Sequence, residues 1–291
     1  MLRWPWCQPR QRNSPMPVLT EFAPAKLNLA LHVRARSSDG YHDLESIFAF
    51  VDFGDTLHLT PADTLSLTID GPFAAALVDD DNLVLRAVRA LADASGKPAA
   101  AALRLEKQIP VAAGLGGGSA DAAAALRLLA RCWQLDWPMA RLAEIASALG
   151  ADVPACLYGS LQFGTGRGDR LTPMPRHDLA GTPVLLVNPR VAVATGSVFR
   201  GWDGVDRGVL DPAAPLATLR NDLAAPAIAL APVIATVVAA LEQQSGVSLV
   251  RMSGSGATVF ALFESDATRS RATQRLAAQF PGWWLAGTAL R

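Results

Sequence analysis

The stretch from Ile109 to Ala125, IPVAAGLGGGSADAAAA, places four glycines within five residues directly ahead of an alanine-rich run. Glycine costs chain entropy, so such a cluster marks a place where something approaches the main chain closely. The start of a helix carries unpaired N–H groups and about half a unit of positive charge, which suits an anion such as a phosphate. No Lys-Ser/Thr pair follows the glycines and their spacing is not G-x-G-x-x-G, so neither common nucleotide-loop pattern applies. A tight strand-to-helix turn with close packing explains the loop alone equally well.

Three further segments carry chemistry-bearing residues. The chain has only three lysines, Lys26, Lys97 and Lys107, against 23 arginines, so a lysine here is a choice of a compact ammonium over a forked guanidinium. Lys97 sits in a turn, SGKPA. Lys26 lies inside an apolar strand pattern, with Asn28 on the same face; the alternative reading is a strand-end lysine that snorkels to solvent. Asp152, in LGADVPACLYG, stands between a helix-ending Gly150 and Val153-Pro154. It fits an N-cap, and the same carboxylate could act as a base. The segment MSGSGATVF is a Ser/Gly turn between two apolar strands, either a plain hairpin or a second backbone surface facing a phosphate or substrate.

The elements that must position these segments follow from periodicity. AKLNLALHV alternates, with Leu27, Leu29, Leu31 and Val33 on one face and Lys26, Asn28, Ala30 and His32 on the other. SSDGYHD is turn chemistry, LESIFAFVDFGDTLHLT is strand-like with an expected break at Gly54-Asp55, and TLSLTI is another strand. DNLVLRAVRALADASG reads as a helix with an Asp/Asn start and a stop at Gly96, and ALRLEKQIP as the strand that delivers the chain to the glycine loop. Ser119 is the expected N-cap of the helix after the loop, which runs to about Trp133. PMARLAEIASALG is a second helix, opening at a proline and stopping at Gly150. The Gly- and Pro-rich stretch GSLQFGTGRGDRLTPMPRHDLAGTP reads as a domain junction. A strand VLLVN, helices, the hairpin VSLVRMSGSGATVFALF, a last helix and WWLAGTAL follow it. Intermixed strands and helices over 291 residues give an α+β fold in two domains.

Composition removes several function classes. Basic and acidic residues both total 26, so no charge bias argues for nucleic acid or an acidic partner. Cys7, Cys132 and Cys156 are far apart and odd in number; they show neither metal-ligand spacing nor a disulfide framework, which favours a reducing, cytoplasmic setting. Leu223 to Leu241 is uncharged and long enough to span a bilayer, but Pro226 and Pro232 interrupt it, and it reads as buried helical turns. Residues 1–16 lack an apolar signal-peptide core and are rich in proline; they are expected to be a loose extension, with Met16 an alternative start.

In this order, PAKLNLALHV, DGYHDLES, IPVAAGLGGGSADAAAAL, LGADVPACLYG and MSGSGATVF resemble the GHMP small-molecule kinases, from about Phe22 to the C-terminus. The AKLNL strand with DGYH downstream narrows the likeness to the branch that acts on a cytidine-diphosphate-linked methylerythritol. The resemblance implies a ribosomal-protein-S5-domain-2-like N-terminal domain over residues 17–172 and a ferredoxin-like C-terminal domain over 173–291. It implies ATP with Mg²⁺ as phosphoryl donor, and as acceptor the 2-hydroxyl of the cytidylylated polyol, a step of the non-mevalonate route to isoprenoid precursors. Carried over by position, Lys26 and Asp152 become the catalytic pair. Pro110, Val111, Ala112, Ala113, Gly114, Leu115, Gly116, Gly117, Gly118, Ser119 and Ala120 become the triphosphate loop. Asn82 and Lys107 fall where the family contacts the nucleoside of ATP, and Asn28, Tyr41, His42, Thr195 and Phe199 on the acceptor side. No protein ligand for Mg²⁺ is assigned. The partners implied are small molecules, with neither nucleic acid nor membrane.

These roles suit the residue types. An alcohol is a poor nucleophile, so a carboxylate that removes its proton assists attack on the γ-phosphorus, and a lysine offsets charge on the transferring group. Positioning and charge stabilisation make up most of such catalysis. Two alternatives stand beside this reading: another GHMP kinase of homoserine or mevalonate type, and a non-catalytic nucleotide-binding regulator on the same fold.

Overall fold

The computed structural model describes residues 18–37, 40–76, 82–174 and 177–291. The extension expected over residues 1–16 lies outside these, as do Ser38 and Asp39 of the tyrosine-containing turn and Asp81 at the expected helix start. The chain forms two compact units, neither of them a continuous stretch. The first takes residues up to 24, 54–111 and 117–158; the second takes 25–53, 112–116 and 159–291.

Two long strands open the chain, β1 (Leu19–Arg36) and β2 (His42–Thr60), joined by the turn at Gly40. The alternation expected in β1 is present, yet both of its faces are closed: every residue from Ala23 to Val33 is buried, the polar face included. The break expected at Gly54-Asp55 is absent, and β2 runs straight through. A Cβ at Gly54 would lie 2.2 Å from the Ala23 carbonyl oxygen, so this glycine allows close backbone approach and does not end a strand.

In the first unit, β3 (Leu65–Asp70), α1 (Leu83–Ser95) and β4 (Ala101–Glu106) form a β-α-β crossover with β3 and β4 parallel. β4 also pairs antiparallel with Thr56–Thr60 of β2. The ends of α1 are those expected: Asn82 Oδ1 accepts from the Val84 N–H at 2.8 Å, and Gly96 closes the helix at φ 64°. The helix after the glycine loop, α2 (Gly117–Cys132), starts two residues before the expected cap, so Ser119 lies inside its first turn. The left-handed Gly116 (φ 64°) redirects the chain just ahead of it. α2 packs against α1 and against α4 (Val153–Tyr158), which follows α3 (Met139–Leu149). Ala122 to Ala125 have no exposed surface, which accounts for the alanine richness: small side chains let neighbouring helices close over α2.

The second unit resumes at Gly159, at the start of the stretch expected as a junction. Its Gly- and Pro-rich stretch folds as a hairpin of β5 (Gln162–Thr165) and β6 (Arg170–Pro173), and β5 pairs antiparallel with Ser46–Phe48 of β2. Gly166 and Gly168, both at positive φ, make the turn that the composition recorded. Then follow β7 (Pro183–Asn188), α5 (Thr195–Arg200), α6 (Ala224–Leu230), α7 (Val233–Glu242), β8 (Val247–Met252), β9 (Val259–Phe263), α8 (Asp266–Gln279) and β10 (Trp284–Ala289). The sheet runs β10-β7-β9-β8 with every pair antiparallel, the ferredoxin-like order. Alternate residues Leu185, Val187, Val259, Ala261 and Phe263 share one core with Ile234, Val237 and Leu241 of α7 and Leu276 of α8. The uncharged stretch from Leu223 divides into α6 and α7 at Pro232. Among the described residues no helix is long and apolar enough to cross a membrane.

Candidate active site

Within the second unit, the middle of β1 carries a buried polar network. The Lys26 ammonium donates to Asn28 Oδ1 at 2.8 Å and lies 5.5 Å from the centre of the Phe48 ring. Lys26 is 3% exposed, which removes the snorkelling alternative. Asn28 Nδ2 donates to Ser46 Oγ (2.7 Å), which donates to the Ala30 carbonyl (2.7 Å). The Asn28 backbone N–H reaches Ser253 Oγ (3.2 Å), whose hydroxyl donates to the Gly114 carbonyl (2.9 Å). The Lys26 N–H donates to the Leu115 carbonyl at 2.9 Å. Burying this many polar groups is tolerable only because each finds a partner.

The same contacts decide what the Ser/Gly turn does. Thr258 N–H donates to the Ala113 carbonyl (3.2 Å), and a Cβ at Gly114 would sit 2.4 Å from the Ser253 oxygen and 2.8 Å from that of Gly256. The turn is therefore a backbone surface pressed on Ala113 and Gly114 of the glycine loop, more than a plain hairpin. Gly114, at φ 76°, is required twice over: by its left-handed conformation and by this approach. Asn221, which the sequence did not single out, holds the turn from below by donating to the Met252 and Gly254 carbonyls, each at 2.8 Å.

Thr195 begins α5, and its hydroxyl meets Ser255 Oγ at 3.0 Å, which links α5 to the Ser/Gly turn. The His42 ring is buried between Phe199 (centroids 5.0 Å apart, tilted) and Trp202 (5.8 Å, edge-on), and its Nε2 accepts from Arg36 Nε at 3.4 Å. Burial, and then the Arg36 charge, hold the imidazole below its ordinary pKa, so it is neutral near pH 7. Tyr41 is half exposed, with the Arg167 guanidinium 5.0 Å over its ring. Thus Asn28, His42, Thr195 and Phe199 are joined to structured partners, and Tyr41 packs against Arg167 while about half of its surface stays exposed.

In the first unit, Asp152 immediately precedes α4, and its carbonyl accepts the first helical bond, from Cys156 N–H (3.1 Å), with Pro154 in the first turn. Asn82 caps α1. Lys107 is almost wholly buried, and its ammonium is engaged by two carboxylates, Asp55 Oδ2 at 2.5 Å and Asp121 Oδ2 at 2.7 Å. Asp55 Oδ1 in turn accepts the N–H groups of Gln108 (2.5 Å) and Ile109 (2.8 Å). Burial works against the Lys107 charge, but the two carboxylates outweigh it and hold its pKa above the usual value. Burial pushes Asp121 up to about 8 against the pull of Lys107, and the neighbouring Asp55 charge adds to the rise. One ammonium between two carboxylates leaves one negative charge in excess. With its pKa raised to about 8, Asp121 carries a proton near pH 7, which relieves that excess. Neither aspartate was singled out from the sequence; the only available signal was the scarcity of lysine.

Two family models match this chain: the GHMP kinases N terminal domain over residues 82–160 and the GHMP kinases C terminal over residues 203–282. A 4-diphosphocytidyl-2-C-methyl-D-erythritol kinase from Rhizorhabdus wittichii is 53% identical over 94% of each chain, and one from Novosphingobium aromaticivorans is 52% identical over 94% of this chain and 93% of its own. The chain belongs to the GHMP kinase family. A crystal structure of a 4-(cytidine 5'-diphospho)-2C-methyl-D-erythritol kinase, 34% identical, superposes with a TM-score of 0.79 over 93% of this chain and 99% of that one. A homoserine kinase from Cytophaga hutchinsonii, 18% identical, shares the GHMP kinase fold at a TM-score of 0.69 over 96% of this chain and 97% of its own.

Proposed function

We propose that this GHMP kinase transfers the γ-phosphoryl group of ATP to the 2-hydroxyl of 4-diphosphocytidyl-2-C-methyl-D-erythritol, in the non-mevalonate route to isoprenoid precursors. The observation that carries the choice of acceptor is the near-full-length identity, 45–53%, to bacterial relatives that bear that kinase's name. The His42–Phe199–Trp202 cluster beside Tyr41 is chemically suited to it, because aromatic faces stack on a pyrimidine while the neutral imidazole, its Nε2 lone pair taken by Arg36, has its Nδ1–H to offer.

In this reading Asp152 accepts the hydroxyl proton as attack begins, and the ammonium of Lys26 offsets the charge that builds on the transferring group. Residues Pro110 to Ala120 cradle the triphosphate with bare backbone and the N-terminus of α2. Asn82 and Lys107 lie toward the nucleoside, and Asn28, Tyr41, His42, Thr195 and Phe199 serve the acceptor. Mg²⁺ accompanies ATP and neutralises phosphate charge. Among the described residues no group of three His, Cys, Asp or Glu side chains is placed to hold a metal. The expected partners are small molecules and the expected setting is the cytoplasm.

The test is an ADP-release assay with an acceptor panel. Turnover is expected with the cytidylylated methylerythritol and not with homoserine or mevalonate. Turnover with either of those alone would move the assignment to another branch of the family. Nucleotide binding without turnover on any acceptor would favour a regulator.

A further inference from the structure

The first unit contains a charge cluster around Lys107 whose two aspartates have no part in the proposed phosphoryl transfer. Its three members come from different elements: Asp55 from β2, Lys107 from the residue after β4, and Asp121 from the first turns of α2. The first two lie at the entry of the glycine loop. Asp55 Oδ1 binds the N–H groups of Gln108 and Ile109, the last residues before Pro110. The third lies at the exit, where α2 begins at Gly117. A Cβ on Gly117 would come within 3.0 Å of Lys107 Nζ and 3.1 Å of Ile109 Cγ2, so the first residue of the helix rests directly on the ammonium and on the entering chain.

Such a cluster is a poor source of stability. Desolvating three ionisable groups costs about as much as their attraction returns, and an apolar trio of the same volume would often fold as well or better. What an apolar trio lacks is direction. The two N–H bonds to one carboxylate oxygen fix the peptide planes of residues 108 and 109, and the shared ammonium fixes their distance from residue 121. Geometry of this kind matters where groups must be held to a fraction of an ångström, as the N–H groups of a phosphate cradle must.

We propose that Asp55, Lys107 and Asp121 form a clamp that joins the two ends of the glycine loop and sets the spacing of its phosphate-binding N–H groups, with Asp55 and Asp121 acting as positioning residues. The proposal rests on the reading of the loop as the ATP triphosphate site. It also gives Lys107 a role through the loop, beside the nucleoside contact that the family likeness suggests.

The test compares Asp121→Leu, Asp121→Asn and Asp55→Asn in the full-length protein. Asp121→Leu removes the exit half of the clamp. Asp121→Asn still offers an oxygen to Lys107 without charge, as the protonated aspartate does, and should restore function. Asp55→Asn turns a donor toward the ammonium and should break the entry half. For Asp121→Leu and Asp55→Asn the KM for ATP is expected to rise by about 10- to 100-fold, the scale of a misplacement of roughly 1 Å, with the KM for the acceptor little changed. Hydrogen exchange of the loop amides between Val111 and Gly116 should accelerate in the same two variants, with or without ATP, and return toward wild type in Asp121→Asn. Lower melting temperatures with unchanged loop exchange and unchanged KM for ATP would overturn the clamp and leave a structural cluster. Should one variant not fold, the other decides, since each breaks a different end. If the wild-type protein binds no ATP, the triphosphate reading fails, and the exchange measurement still reports on the clamp by itself.

Discussion

Gly114→Ala adds a single methyl group at the point where the glycine loop meets the Ser/Gly turn. Two costs follow. The residue has φ 76°, where an L side chain costs about 1–2 kcal/mol. The new Cβ would also stand 2.4 Å from the Ser253 carbonyl oxygen, against about 3.4 Å for an ordinary contact, so loop and turn must part by about 1 Å. The conformational term alone should lower the melting temperature by about 2–8 °C in a chain of this size. The separation matters more for activity. Ser253 Oγ holds both the Gly114 carbonyl and the Asn28 N–H, and Asn28 holds the Lys26 ammonium, so the shift passes to the proposed catalytic lysine in two steps. A misplacement of about 1 Å can cost on the order of 10²-fold, so kcat/KM for ATP should fall by about that factor. Gly282→Ala is the control for an added methyl group, because its Cβ would meet nothing within 4 Å and the residue has no part in the proposed ATP or acceptor sites. It should not melt lower, since alanine narrows the unfolded chain's freedom at a position it can adopt. Steady-state kinetics with varied ATP, alongside thermal melting, separates the two variants. If Gly114→Ala melts lower yet keeps wild-type kinetics, the contact between loop and turn has no bearing on the chemistry and the reasoning fails.

Asp152→Asn keeps the capping position, since Asn caps about as well as Asp, and should melt near wild type while kcat drops by roughly 10²–10⁴-fold; equal turnover would leave only the cap. Lys26→Arg should lose nearly as much activity as Lys26→Ala despite the retained charge, because the buried site between Asn28 and Phe48 fits an ammonium and not a guanidinium; full activity in the arginine variant would refute this. Asp121 titrates at about 8 in the folded chain and near the ordinary carboxylate value when unfolded, so the folded state holds the extra proton and stability falls as pH rises toward 8. His42 and His32 are held low by burial and act in the opposite sense, but only below about pH 6.5–7, so denaturant titrations from about pH 7 to 8 isolate the aspartate. Asp121→Asn should flatten that slope, and an unchanged slope would show that the proton is held elsewhere.

Local sequence determined the features that depend on a few adjacent residues. Asn82 and Gly96 bound α1 because a side-chain acceptor and a left-handed glycine act within one turn of chain. The strand period of β1 and the turn between β8 and β9 were legible for the same reason, and so was the resemblance carried by contiguous motifs. Tertiary structure alone decided what required partners from elsewhere in the chain. Alternation in β1 shows that Lys26 and Asn28 share a face, but only the packed strand buries that face and supplies Ser46 and Ser253 to satisfy it. Gly54 reads as a break because composition records flexibility, whereas its role is the approach of the Ala23 carbonyl. The junction-like glycines after Gly159 make a hairpin because Ser46–Phe48 of a distant strand offers an edge to pair with. Asp55 and Asp121 are ordinary residues in the sequence, 52 and 14 positions from Lys107, and become a cluster only when folding removes the water that would otherwise screen them.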